Sequence, residues 1–477
     1  METQKWEYVE KTPENKISVP TSGNKITINV SSPTKLIDST ISGTIISAYS
    51  KDNKLVFSAG FPLTWNTYSA SSALGEIHMF VRTPNMDSEF IALPRTIESL
   101  RSAYVIKSDE KLFLFDAPDG DYYPLKDSKI GKYIFDNNPV KISPEPFKNI
   151  GYQYSYGAEK NGDWVVKACK LSKPNDCNKI ATTPKSIVFA YGGNELNTVA
   201  VTNRGDVLFH NRQGWCRGKK TSDGGVKCDK QAKDFDALYK TQLYSSIRAK
   251  DGTLLGEYPT GRFWKLGDGI ITPTPLSPYD DTEHKNRELQ SVSMFCGDLY
   301  AGFWPQGEVW EKPLESNGWI KTKRLFSHPV VKDGDVPYLS NLESGNNGKY
   351  PAYSFFGQRA TSMVNYKNSL FISSSNLGGW SKDIPKPSFM TDSQANEYGR
   401  IYSKTDSNCL TTVIDSNVNL VITIDSNSMS VTNNGKEIAK TNLHDFDIKQ
   451  IDYFTIGDGI FGKISDENID VNFLNNN

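Results

Sequence analysis

"LYAGFWPQGEVWEK", residues 299–312, sets a Pro and a Gly two apart between two short runs rich in aromatics. Forty-six residues earlier stands "LLGEYPTGRFWKL", in which Pro259 and Gly261 match Pro305 and Gly307, and Trp264 matches Trp310. A Pro pre-sets φ and a Gly tolerates positive φ, so a strand reverses here at little cost. A third version, "FDAPDGDYYPL", carries Pro118 and Gly120. The recurrence reads Trp264 and Trp310 as residues that pack between neighbouring units, because an aromatic ring supplies much core area.

A looser template surrounds these hairpins: an apolar strand, a polar turn with Asp, Asn or Gly, then an apolar pair that opens a second strand. It begins at Ala48, Val105, Tyr156, Ala200, Ile247, Ser293 and Val364. The turn centres are spaced by roughly 45 to 70 residues, the scale of a four-stranded propeller blade with variable loops. Apolar residues alternate at period two and are rich in Val, Ile, Phe, Tyr and Trp, which argues against helical repeats. The expected fold is therefore all-β, a β-propeller over residues 43–394 with seven blades, six being the alternative.

Several units end in a small pattern: "NRQGW" at Asn211–Trp215, "SNGW" at Ser316–Trp319 and "SNLGGW" at Ser375–Trp380, with "KNGDW" at Lys160–Trp164 as a variant. These resemble degenerate Asp-box turns of sialidase-like propellers, within a kelch-like repeat. In that family a polar residue bonds the turn backbone and a Trp packs beneath, so the resemblance implies a structural role. From about residue 395 the texture changes to strands with Asn-Gly and Asp-rich turns. "SMSVTNNGKEIAKTNL" and "DYFTIGDGIFGKISDENI" resemble the later half of a laminin-G or concanavalin-like sandwich. Asn433, Asn434, Gly435 and Lys436 carry its hairpin, Ile456 and Gly457 its next strand, and Phe461, Gly462 and Ile464 its closing stretch. A sandwich of that class needs more strands than residues 395–477 supply. The N-terminal strands of residues 1–42, "KITINV" and "TKLIDSTISGTII", are candidates to complete it, which would make the propeller an insertion.

Lys and Arg number 54 against 55 Asp and Glu, so no global field favours nucleic acid. The longest apolar runs fall far short of the roughly 20 residues of a membrane-spanning helix, and the polar N-terminus has no secretion-signal pattern. The six cysteines point instead to an oxidising environment. Cys169 and Cys177 bracket one polar segment, Cys216 and Cys228 another, and both are candidate disulfides. Cys296 and Cys409 would bridge a late blade to the C-terminal part if folding brought them together. No two-residue Cys spacing or neighbouring His pair suggests zinc.

Propeller loops gather at an end of the central channel, and two long ones stand out. Residues 272–290 carry Asp280, Asp281, His284 and Arg287; residues 327–362 carry Tyr338, Asn341, Tyr353 and Arg359. Long loops in compact β folds are commonly functional. Tyr faces with amide and carboxylate partners suit a pyranose, and equally a protein surface. The acidic oxygens are candidate calcium ligands, and otherwise no cofactor is expected. Asp280 and Asp281 are adjacent and point apart, so a hydrolytic pair needs a distant second acid. A sialidase would need an arginine cluster, for which Arg95, Arg262, Arg324 and Arg359 are present. No nucleophile elbow or phosphate loop appears.

The expected function is non-catalytic binding of a glycan or cell-surface receptor, extracellular or on a virion surface. The alternatives are a glycoside hydrolase or polysaccharide lyase, and a structural component of a virion or other assembly.

Overall fold

The computed structural model describes residues 16–18, 23–32, 43–62, 64–66, 76–83, 88–97, 100–108, 111–116, 121–129, 132–140, 148–149, 152–158, 164–170, 173–183, 196–201, 207–211, 214–220, 226–229, 242–249, 252–258, 260–267, 270–273, 278, 287–314, 316–330, 356–376, 390–413, 418–456 and 469–474, with the backbone alone given between 148 and 229. The fold is all-β, built of antiparallel sheets. Among the described residues no helix is long and apolar enough to cross a membrane.

Two of the sheets share one apolar core. In the five-stranded sheet Lys25–Ser32 lies between Val418–Asp425 and Ile469–Leu474, so a strand from the start of the chain sits in the middle of strands from its end. Alternation drives this: Ile26, Ile28 and Val30 point inward against Leu420, Ile422 and Ile424, while Thr27 and Asn29 face out. The six-stranded sheet runs Lys16–Ser18, Tyr453–Ile456, Gly43–Tyr49, Leu55–Phe61, Glu76–Val81 and Cys409–Val413. Its Ile46, Phe57, Ile77, Met79 and Phe454 meet the other sheet in the same core. The template copy that starts at Ala48 therefore belongs to this sandwich and builds no blade; Gly43–Tyr49 and Leu55–Phe61 pair here because Tyr453–Ile456 offers an edge of matching alternation.

The other six copies each form a hairpin of a four-stranded meander, the first hairpin in five of them and the middle one, Tyr152–Ala158 with Trp164–Lys170, in the meander that starts at Lys148. In chain order the meanders cover 103–135, 148–183, 196–229, 242–273, 288–324 and 359–405. The second and third are joined into one eight-stranded sheet by a single parallel bridge, Thr182 to Lys227. The sixth takes its outer strand from far upstream, where Ile91–Ala92 pairs with Tyr402 and Ser403. Arg95 holds that crossing, donating to the carbonyls of Asn396, Leu100 and, at 3.1 Å, Tyr398.

Neighbouring meanders share cores. Leu254 and Phe263 of the fourth pack on Leu289, Val292 and Phe303 of the fifth; Tyr300 and Val309 of the fifth on Ala360, Met363 and Ile372 of the sixth; and Phe371 of the sixth on Val105, Leu114 and Tyr133 of the first. At three of these junctions a hydroxyl stitches one first strand to the next. Ser245 donates to the Leu289 carbonyl at 3.0 Å, Ser291 to that of Ala360 at 2.7 Å, and Ser362 accepts from the Val105 N–H at 2.8 Å. Ser245 and Ser291 close register shifts at Leu243/Ser245 and Leu289/Ser291, and Ser362 lies within the shift between Ala360 and Met363. A bulge inserts an unpaired residue and bends the strand, which turns the hydroxyl toward its neighbour.

The Pro-x-Gly hairpins of the opening stretch are clips of the same kind. Thr260 bridges to Arg287, and Gln306 to Gln358, each reaching the residue before or at the start of the next meander. Gly261 and Gly307 hold φ of 71° and 59°, conformations that suit Gly. Trp310 and Trp319 pack on the core between the fourth and fifth meanders, Trp319 stacked 5.8 Å from Phe263. In that turn Ser316 Oγ accepts from the Gly318 N–H at 3.0 Å, the geometry implied by the Asp-box resemblance. Trp264 instead donates to Glu257 at 2.7 Å.

The second-strand glycines are under tighter constraint. A Cβ on Gly302 would lie 2.5 Å from Ser291 Oγ, 2.7 Å from Ala360 Cβ and 2.9 Å from the Ala360 carbonyl. Gly302→Ala is thus expected to destabilise by about 1–3 kcal/mol through overpacking, read as a lowered midpoint in urea. An unchanged midpoint would mean that the first strand of the sixth meander yields.

Candidate functional site

The first hairpins of three meanders turn their tips onto the sandwich. At the fifth, Cys296 is disulfide-bonded to Cys409, with Cα atoms 5.4 Å apart, and Asp298 accepts from Arg82 at 2.5 Å. Cys296 and Gly297 occupy positive φ, 53° and 83°, the signature of a tight hairpin turn. At the sixth, Lys367 bridges to Thr411. At the first, Lys107 donates to Glu76 at 2.6 Å and to the Asn365 carbonyl at 2.9 Å. Burial pushes the Glu76 carboxyl up, but Lys107 and His78 outweigh it and hold it below the ordinary glutamate value.

The chain also enters the group of first strands from the sandwich side. Thr64–Asn66 pairs with Ser245, Ser246 and Ile247 on the inner edge of the fourth meander. The buried Asn66 amide then accepts from the Val292 N–H at 2.8 Å and donates to the Val292 carbonyl at 2.9 Å, pairing with the fifth meander as a strand backbone would.

The opposite ends of the first strands receive the two long connections, 274–286 and 331–355. Of the sequence-expected residues, Arg287 immediately precedes the first strand of the fifth meander and Arg359 begins that of the sixth. Arg359 donates to Glu288 at 2.7 Å, its guanidinium carbon lies 5.0 Å from the centroid of Trp304, and it is 2% exposed. Arg287 precedes Glu288 and is 9% exposed. Trp304 stands opposite Glu288 in the strand pairing, and Tyr258 tilts against Trp304 at 6.4 Å. In the same strand Gln290 is fully buried, and among the described residues neither atom of its amide has a hydrogen-bond partner. Glu257, next to Tyr258, has its carboxyl pushed up by burial against hydrogen bonds from Thr260 and Trp264. The arrangement is a buried cation held between a carboxylate and an aromatic face.

The remaining loop candidates, Asp280, Asp281, His284, Tyr338, Asn341 and Tyr353, lie outside the described residues. The four arginines considered for a sialidase cluster are divided: Arg95 holds carbonyls at the upstream crossing, Arg324 bonds the His328 carbonyl and Gln358, Arg262 acts on Glu257, and Arg359 holds Glu288. The side chains of Cys169, Cys177, Cys216 and Cys228 are not described, but backbone register sets Cys169 opposite Cys177, and Cys228 opposite Gly218, two residues beyond Cys216. Sequence reading missed Glu288, Trp304 and Gln290. A signal for the first and last exists: "QLYS", "ELQS" and "RATS" begin three first strands, and in the last two the leading residues are Glu288 and Arg359.

Beside this end a buried staple ties down one base of the 331–355 connection. His328 Nδ1 lies 2.9 Å from Glu397, Ser327 N–H donates to the same carboxylate at 2.9 Å, and Tyr398 OH donates to the Phe356 carbonyl at 2.5 Å. Burial raises the Glu397 carboxyl, yet the bonds from His328 and Ser327 hold it below its ordinary value. A carboxyl depressed in the folded state contributes stability above the unfolded value, near pH 4.3, and loses it as pH falls through the folded value. Glu397→Gln is therefore expected to flatten the acid limb of a melting-temperature profile below about pH 4.3; an unaltered limb would refute the assignment.

No family model matches the chain, and no curated protein does. Among solved structures, a functionally unknown protein of Desulfotomaculum acetoxidans is 11% identical with a TM-score of 0.26, covering 72% of this chain and 99% of its own. The "extracellular domain of the putative hybrid two component system BT4673 from B. thetaiotaomicron" is 12% identical with a TM-score of 0.23, covering 93% of this chain and 57% of its own.

Proposed function

We propose that the chain is a non-catalytic binding protein, a six-bladed β-propeller carried on a laminin-G-like sandwich, that takes a glycan or a receptor at the propeller end remote from the sandwich. The reading rests on one observation: hairpin tips, a disulfide and the Thr64–Asn66 strand occupy the sandwich end, while Arg287, Glu288, Trp304 and Arg359 stand at the other, at the bases of both long connections. The contacts between successive meanders and the borrowed outer strand of the sixth support six blades. The cross-link supports an extracellular or particle-surface setting, and Cys169–Cys177 and Cys216–Cys228 are proposed as further disulfides.

A broad glycan array, with and without calcium, tests the reading, followed by a cleavage assay of any hit. The expected result is a bound, uncleaved glycan whose affinity falls at least about tenfold in Arg287→Glu, the loss of one charged hydrogen bond. A cleaved glycan would move the assignment to a hydrolase or lyase. Silence on the array and on cells would overturn ligand binding and favour an assembly component.

A further inference from the structure

Beside the cross-link between the fifth meander and the sandwich stands a third group with metal-ligand chemistry. The two sulfurs of Cys296 and Cys409 and a carboxylate oxygen of Asp406 all lie within 4.8 Å of one another, the cysteines buried and the aspartate half-buried. The Asp406 carboxylate accepts from the Asn408 N–H at 2.8 Å through one oxygen. A disulfide gains nothing from such a neighbour, whereas a cation held by two thiolates does: two sulfurs and an oxygen are a donor set for zinc, which accepts a fourth ligand from water.

We propose that the reduced form of this clamp is a site for a zinc-class divalent cation, with Cys296, Cys409 and Asp406 as ligands. The same junction is then closed by a metal in a reducing compartment and by a disulfide in an oxidising one. A phosphine reductant cleaves the S–S bond, giving two thiols while the phosphine becomes its oxide with oxygen from water. The cation binds both sulfurs, each thiol releases its proton to solvent, and the carboxylate adds the third bond. Air oxidation removes the two electrons again and expels the ion.

The test uses the full chain, reduced with a phosphine under nitrogen and titrated with Co²⁺ as a spectroscopic stand-in for zinc. The wild type is expected to take up one more equivalent than Cys409→Ser, with a sulfur-to-cobalt charge-transfer band in the near ultraviolet. Asp406→Asn, which keeps the disulfide and whose fold is checked oxidised, is expected to bind that equivalent on the order of tenfold more weakly. Any site formed by the other four cysteines is unaffected by this substitution. Equal uptake by wild type and Cys409→Ser, or an unweakened band in Asp406→Asn, would overturn the proposal.

Discussion

Glu288→Ala is expected to cost about 3–5 kcal/mol, the penalty for stranding a buried charge. Arg359 donates to Glu288 at 2.7 Å from a position 2% exposed, with Trp304 across its face. Removing the carboxylate breaks a 2.7 Å ion pair at a position that is 2% exposed. The loss falls between the fifth and sixth meanders, which Ser291 also stitches. The measurement is the urea midpoint of Glu288→Ala beside Glu288→Gln and the double variant Glu288→Met/Arg359→Met. The amide should recover part of the loss and the apolar pair most of it, since replacing both members of a buried ion pair is often neutral. If Glu288→Ala matches the wild type, the pair is not buried as described.

Breaking the Cys296–Cys409 bond is expected to cost about 2–5 kcal/mol. The bond spans a sequence separation of 113, and the chain-entropy account gives about 4.7 kcal/mol for a loop of roughly that size. The surrounding packing makes the junction sensitive to position: a Cβ at Gly297 would come 2.5 Å from the ring of Phe80. Cys409→Ser should melt earlier than the wild type in oxidising buffer, and a reductant should bring the two proteins to a common level. A Cys409→Ser protein as stable as the oxidised wild type would show that the Arg82–Asp298 pair and the Lys367–Thr411 bridge hold the junction unaided.

The all-β class was legible because alternation at period two needs no tertiary knowledge. The Pro-x-Gly hairpins were legible as turns, but that Thr260 and Gln306 reach the next meander depends on how sheets stack, which local pattern does not encode. The copy at Ala48 misled for a related reason: a hairpin of Val, Phe and Ala reads alike in a blade and in a sandwich, and the decision rests with Tyr453–Ile456, some 400 residues away. Arg287 and Arg359 were singled out in the sequence as residues of long loops, and the structure sets them beside and at the start of first strands. Glu288 was passed over because a carboxylate at the head of an apolar strand looks solvent-facing until its partner across the meander boundary is known.

The placement of Thr64–Asn66 and Lys25–Ser32 also orders events in time. During synthesis both strands leave the ribosome long before the segments that receive them, 242–249 and 418–425, exist. Neither can be satisfied locally, so both wait with unpaired edges, and closure is dominated by contacts of very large sequence separation. Such topologies fold slowly, and here no nascent prefix contains a finished sandwich. A chain stopped short of its last 60 residues should therefore remain incomplete at its first 30 as well, since its beginning and its end complete one sheet.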